Sequence, residues 1–174
     1  PERRLSALAK ASPSTRFYLS FVPLVIRCAS MAKRGVYDGE RWAQSSHDLR
    51  TALETAGVRI SADGLDGFAN LEGPCVFAGN HMSILESLVL PGFIQPLKPV
   101  TFVVKQDLVR YPVFNHIMRA RDPIVVTRTD PRADFQTVMQ DGGRCLQEGR
   151  SLIIFPQTTR TLEFDRGKFN SIGV

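Results

Sequence analysis

Short apolar runs alternate with longer segments of helical periodicity along most of this chain. Between Tyr37 and Ala56, the apolar residues Trp42, Leu49, Leu53 and Ala56 recur at helical spacing, and Gly57 supplies a C-terminal stop. Val58–Ala62 alternates apolar and polar side chains like a strand, and Asp63-Gly64 and Asp66-Gly67 mark turns. The pattern then predicts a strand over 74–78, a helix over about 84–91, a strand over Val100–Val104 and a helical or irregular stretch over 106–120. A strand over Ile124–Thr127, a helix over Arg132–Glu148 and a strand over Leu152–Phe155 follow. This alternation implies an α/β fold whose sheet is mixed, mostly parallel and flanked by helices. In such sheets binding residues gather at the carboxyl ends of the strands. His81, Lys105, Arg128 and the residues after Phe155 all fall just past such ends.

The N-terminal part has a different character. Phe17–Ile26 is an apolar, aromatic run flanked by Arg16 and Arg27, with Lys33 and Arg34 beyond. It is shorter than the roughly 20 apolar residues that a bilayer span requires, and Pro23 interrupts it. Two readings stay open: a helix lying in a membrane interface, and a core-packed helix with snorkelling arginines. No small-x-small cleavage site follows the run directly, so a signal peptide fits less well. The chain divides on this basis into a basic, apolar helical segment over residues 1–56, expected at a membrane interface, and an α/β domain over 57–174.

Charge sharpens the division. Residues 1–50 hold nine Lys and Arg against four Asp and Glu, and the remainder carries 13 of each sign, so the net +5 is wholly N-terminal. Such a segment suits an anionic membrane or nucleic acid, and its aromatic neighbours favour the membrane. At 174 residues and 43% hydrophobic content, one globular core is the default. Cys28, Cys75 and Cys145 are far apart and lack metal-ligand spacing, which fits reduced thiols and a location at the cytoplasmic face. Because the chain opens at Pro1 and stops at Val174 with no terminating signal, a fragment lacking further C-terminal strands is expected.

The candidate chemistry starts at Gly79-Asn80-His81-Met82-Ser83-Ile84-Leu85-Glu86, directly after the apolar Cys75–Ala78. Histidine titrates near neutrality, so it can take a proton from an alcohol and return it within one turnover. In one continuous helix, residues five apart point about 140° from each other, so His81 and Glu86 meet only if His81 precedes the helix. Ser83-x-x-Glu86 fits a capping box, which starts the helix near Ile84 and leaves His81 in the loop. Capping alone is the alternative role for Glu86. The second cluster is Pro156-Gln157-Thr158-Thr159-Arg160-Thr161, where hydroxyls, an amide and a guanidinium can surround a phosphate. Lys105 and Arg128 share its edge. The chain has no G-x-S-x-G elbow, P-loop, G-x-G-x-x-G or H-E-x-x-H, which excludes the serine hydrolases of the usual kind, P-loop NTPases, dinucleotide enzymes and zincins that depend on them.

These motifs, in this order over about 58–170, resemble the 1-acylglycerol-3-phosphate acyltransferase family of lysophospholipid acyltransferases. Asn80-His81 through Glu86 is similar to its Asn-His-x4-Asp block, and Val104-Lys105 with Leu108 and Pro112 to its Lys-containing segment. Ile124–Arg128 is similar to its Arg-ending block, and Phe155–Thr161 to its Phe-Pro-Glu-Gly-Thr-Arg-Ser block; Gly167-Lys168-Phe169 has a counterpart downstream. Glu86 stands where the family has Asp, one methylene longer. Gln157 and Thr158 replace Glu and Gly, removing a negative charge and adding bulk where the acceptor lies. The resemblance implies a glycerolphosphate acyltransferase-like fold and transfer of a fatty acyl group from acyl-CoA or acyl-carrier protein to a lysophospholipid hydroxyl. His81 would then be the general base, oriented by Glu86, and Lys105, Arg128, Gln157, Thr158, Thr159 and Arg160 would bind substrate. It implies no cofactor and no metal, the membrane phospholipid surface as partner, and no nucleic acid. Another lysolipid acceptor, such as a lyso-ornithine lipid, and a catalytically silent membrane-binding module are the alternatives.

Overall fold

The computed structural model describes residues 6–157 together with Arg160, Glu163, Asp165 and Gly167. Its centre is a four-stranded sheet of β1 (Val76–Ala78), β2 (Val100–Lys105), β3 (Ile124–Val126) and β4 (Ser151–Ile154), in spatial order β1-β4-β2-β3. All pairs are parallel, so among the described residues the sheet has no antiparallel member. Among the described strands, the last in sequence fills the gap between the first two, with Ile153 paired to both Phe77 and Phe102. That insertion brings the segment after β4 alongside the one after β1.

Helices cover both faces, which is why β2 and β4 read as apolar runs rather than alternating ones. On one face α7 (Pro131–Gln147) packs over Ile124 and Leu152 through Cys145. Gly142 permits that approach, since a Cβ there would stand 3.1 Å from Leu152 Cδ1. On the other face Phe102, Val104 and Ile153 join Tyr37, Trp42 and Ile94 in the main core. Fully burying an apolar side chain of this size stabilises by about 1.5–3 kcal/mol. The helices here are α3 (Gly39–Thr55), α5 (Leu85–Ile94) and α6 (Phe114–Arg119), with a 3-10 turn at Gln106–Val109. At Gly92 of α5 a Cβ would meet Ser46 Cβ of α3 at 3.1 Å, so glycine lets the two helices touch.

Two further helices precede these, α1 (Ala7–Ala11) and α2 (Pro13–Lys33). Ser12 caps α2 by accepting the Thr15 N–H, and Pro13 begins it, where its missing N–H costs nothing. The helix runs through Pro23 and has two apolar faces. Phe21, Leu24, Val25 and Cys28 look inward, while Tyr18, Leu19, Val22 and Ile26 are 57, 61, 49 and 61% exposed. At about 100° per residue those four span an arc of about 100°. No helix among the described residues is long and apolar enough to cross a membrane. The short α4 (Asp66–Ala69) completes the set.

One expected element is absent. Val58–Ala62 forms no strand; it is irregular, with Val58 40% exposed. Gly57 turns the chain at φ +103° and leaves the alternating residues beside no partner strand, so their pattern has nothing to pair with.

Candidate active site

The site is built from the loops that leave β1, β2, β3 and β4 at their carboxyl ends. Gly79 donates to the Ile154 carbonyl at 3.1 Å and prolongs the pairing of β1 with β4 by one step. His81 then lies in the loop before α5, as the capping pattern predicts. Its ring stacks on Phe155, with centroids 4.4 Å apart and planes 15° from parallel. Its backbone N–H donates to Oε1 of Gln157, a side chain only 2% exposed. The post-β4 segment therefore grips the His81 loop through both ring and main chain.

Each imidazole nitrogen faces one ionisable neighbour. Nδ1 is 3.5 Å from Glu86 Oε2, and Nε2 accepts from Arg160 Nε at 3.3 Å. Both Glu86 oxygens accept the Ser83 N–H at 3.0 Å, and the Leu85 N–H donates to Ser83 Oγ at 3.0 Å. Glu86 thus ties down the Ser83 turn ahead of α5 and borders the imidazole at once, while the helix starts at Leu85 with Ile84 before it and no side-chain cap. Burial pushes the His81 pKa below the usual imidazole value; Glu86 opposes this, and Arg160 and Arg128 reinforce it. The neutral form that can accept a proton is accordingly favoured near neutrality.

Arg128 sits past β3 in the left-handed region, at φ +62°. Asp134 in the first turn of α7 holds it there, accepting the Thr127 N–H at 2.8 Å and the Arg128 N–H at 2.6 Å. Slight burial raises the Asp134 carboxyl, and the two amides, the Thr127 hydroxyl and the Arg128 charge together reverse it, leaving its pKa low. A non-glycine residue kept in this conformation stores strain, which concentrates at functional sites. Lys105 is the last residue of β2, one residue further along the strand than its apolar run suggests, and is ion-paired with Asp107.

His81, Lys105, Arg128 and Arg160 open onto one cavity of about 550 Å³ that runs beneath α2. Its walls are largely apolar, with Phe21, Leu24 and Val25 on one side and Phe102, Val104 and Ile117 on the other. Tyr37 and Ser45 close part of it, joined at 2.6 Å between hydroxyls. Burial raises the Tyr37 pKa, so this phenol stays neutral. A cavity of this size and lining suits a long apolar chain with a charged head at the mouth.

Of the residues singled out in sequence, the structure brings together His81, Glu86, Arg128, Arg160 and Lys105, and turns Gln157 toward the His81 main chain. Thr158 and Thr159, with Thr161, Lys168 and Phe169, lie outside the described residues. Sequence reasoning missed Asp134, Phe155 as a stacking surface and the Tyr37–Ser45 pair. Only Phe155 carried a signal, its place at the end of the last apolar run. Among the described residues no group of three or more His, Cys, Asp and Glu could hold a metal ion.

A parallel sheet with an imidazole, a carboxylate and cations at its carboxyl edge, opening on an apolar cavity, is the make-up of an α/β enzyme domain. The chain belongs to the acyltransferase family: the family model described as Acyltransferase matches residues 53–171. It is 33% identical over 118 residues to a protein named 1-acyl-sn-glycerol-3-phosphate acyltransferase from Pseudomonas aeruginosa, covering 68% of this chain and 44% of that one. It is 29% identical over 119 residues to the lyso-ornithine lipid O-acyltransferase of Rhizobium meliloti, covering 68% and 38%. A chloroplastic 1-acyl-sn-glycerol-3-phosphate acyltransferase of Arabidopsis thaliana is 26% identical over 114 residues, covering 64% and 30%. The chain thus spans less than half the length of these relatives. No solved structure matches it.

Proposed function

We propose that this chain transfers a fatty acyl group from acyl-CoA or acyl-carrier protein to the free hydroxyl of a lysophospholipid, with 1-acylglycerol-3-phosphate as acceptor. The observation that carries this reading is the placement of His81, between Glu86 and the cationic mouth of an apolar cavity. His81 Nε2 takes the acceptor proton as the hydroxyl oxygen attacks the thioester carbonyl. A C–O bond forms, the C–S bond breaks, and the proton passes from the imidazolium to the departing thiolate. Glu86 supports the imidazolium, and Gln157 fixes the loop that carries it. Arg160, Arg128 and Lys105 bind the acceptor phosphate, and the cavity takes the acyl chain.

A lyso-ornithine lipid is the second acceptor reading. It is favoured by the named Rhizobium relative. The exposed apolar stripe of α2 and its flanking arginines support docking at the membrane phospholipid surface. The free Cys28, Cys75 and Cys145 support the cytoplasmic face.

The test is acyl transfer from labelled acyl-CoA to a panel of lysolipids, comparing the wild type with His81→Ala. Turnover that depends on His81 and on the acceptor phosphate is expected. Undiminished turnover in a folded His81→Ala protein would sink the mechanism, and equal use of lyso-ornithine lipid would move the acceptor assignment.

A further inference from the structure

Arg160 Nε donates to His81 Nε2 at 3.3 Å, and Nε2 is the nitrogen that takes the acceptor proton in the proposed transfer. One lone pair cannot accept both. We infer that Arg160 is a specificity-determining residue, holding the His81 base until an acceptor phosphate draws the guanidinium away; this rests on the acyl-transfer reading and deepens it.

The chemistry gives the exchange its direction. A guanidinium bonded to a neutral imidazole makes a long hydrogen bond with one charged partner, 3.3 Å against the roughly 2.9 Å usual for N–H donors. A phosphate offers it a bidentate, charge-assisted pairing instead. An acceptor with a phosphate therefore frees the base as it binds. A neutral acceptor leaves Arg160 on Nε2. Among the described residues, the charged groups near the ring fit this account. Glu86, at the start of α5, faces Nδ1 and stays there; Arg128, past β3, adds positive charge near the ring. Lys105 is ion-paired with Asp107. Gln157 holds the His81 main chain, so the loop keeps its place while Arg160 moves.

Two measurements test the inference on the full chain. The first compares lysophosphatidic acid with monoacylglycerol, which keeps the hydroxyl and acyl chain but lacks the phosphate. Arg160→Ala is expected to lose about tenfold or more in kcat/KM with lysophosphatidic acid, the scale of a lost charged hydrogen bond. With monoacylglycerol it is expected to gain severalfold in kcat, and Arg160→Lys to keep part of the discrimination. Equal losses on both acceptors would overturn the inference and leave the acyl-transfer reading standing. The second follows the His81 ring titration by NMR, which needs no turnover. Adding glycerol 3-phosphate should raise the His81 midpoint in the wild type, and glycerol should not; Arg160→Ala should raise it without any ligand. A flat response to glycerol 3-phosphate, or a response only to the phosphates of CoA, overturns the inference whatever the transfer assay gives.

Discussion

His81 Nδ1 stands 3.5 Å from Glu86 Oε2, beyond ordinary hydrogen-bond length, while the same carboxylate accepts the Ser83 N–H at 3.0 Å through both oxygens. Glu86 is therefore divided between holding the Ser83 turn ahead of α5 and facing the imidazole. Its extra methylene relative to Asp lets one side chain reach both.

That division makes the pH dependence of turnover informative. The base must be neutral, and burial together with Arg160 and Arg128 lowers the His81 pKa, so the acid limb of kcat/KM is expected below the usual imidazole value of about 6.5. Glu86 opposes those effects. Glu86→Gln should move the limb further down and reduce kcat, because the imidazolium loses its counter-charge. A limb that moves up in Glu86→Gln would contradict the electrostatic role.

Asp134 is expected to act through Arg128. Asp134→Ala removes the acceptor of the Thr127 and Arg128 amides and frees Arg128 from its positive φ. KM for a phosphate-bearing acceptor should rise about threefold to tenfold with little change in Tm, on the scale of one lost hydrogen bond. The measurement is a KM and kcat comparison beside a melting curve.

The cavity under α2 should limit the acyl chain. Val25→Trp fills space between α2 and the sheet and is expected to shift preference toward shorter acyl donors while leaving the His81 loop in place. A donor series of increasing chain length reads the change directly.

Contact between α3 and α5 at Gly92 sets a packing limit. In Gly92→Ala the new methyl meets Ser46 Cβ at 3.1 Å and the His47 amide nitrogen at 3.5 Å, atoms fixed to a helix backbone that cannot turn aside. Overpacking costs about 1–3 kcal/mol, against about 1 kcal/mol gained in helix propensity. The variant should melt a few degrees lower, at about 2–4 °C per kcal/mol for a domain of this size.

The outer face of α2 should be dispensable for the core and needed at a bilayer. Leu19→Asp with Ile26→Asp places two charges on residues that are each 61% exposed. Sedimentation with vesicles of phosphatidylglycerol and phosphatidylcholine should show strong loss of binding, with melting little altered.

The sequence by itself determined the order of strands and helices from 74 onward, because the apolar runs of β1 to β4 and the helical periods between them are local signals. It also determined that His81 precedes its helix, since Ser83 and Glu86 interact within a single turn. Local pattern misled at Val58–Ala62, where alternation found no neighbouring strand. Tertiary structure decided what depends on residues far apart in the chain. The insertion of β4 between β1 and β2 brings Gln157 to the His81 amide across 76 residues and Arg160 to the His81 ring across 79. It also decided which face of α2 roofs the cavity and which meets solvent, because both faces are apolar and only packing against α3 and α6 distinguishes them. Periodicity records a residue's own helix or strand; a hydrogen bond between two loops depends on where the sheet delivers each of them.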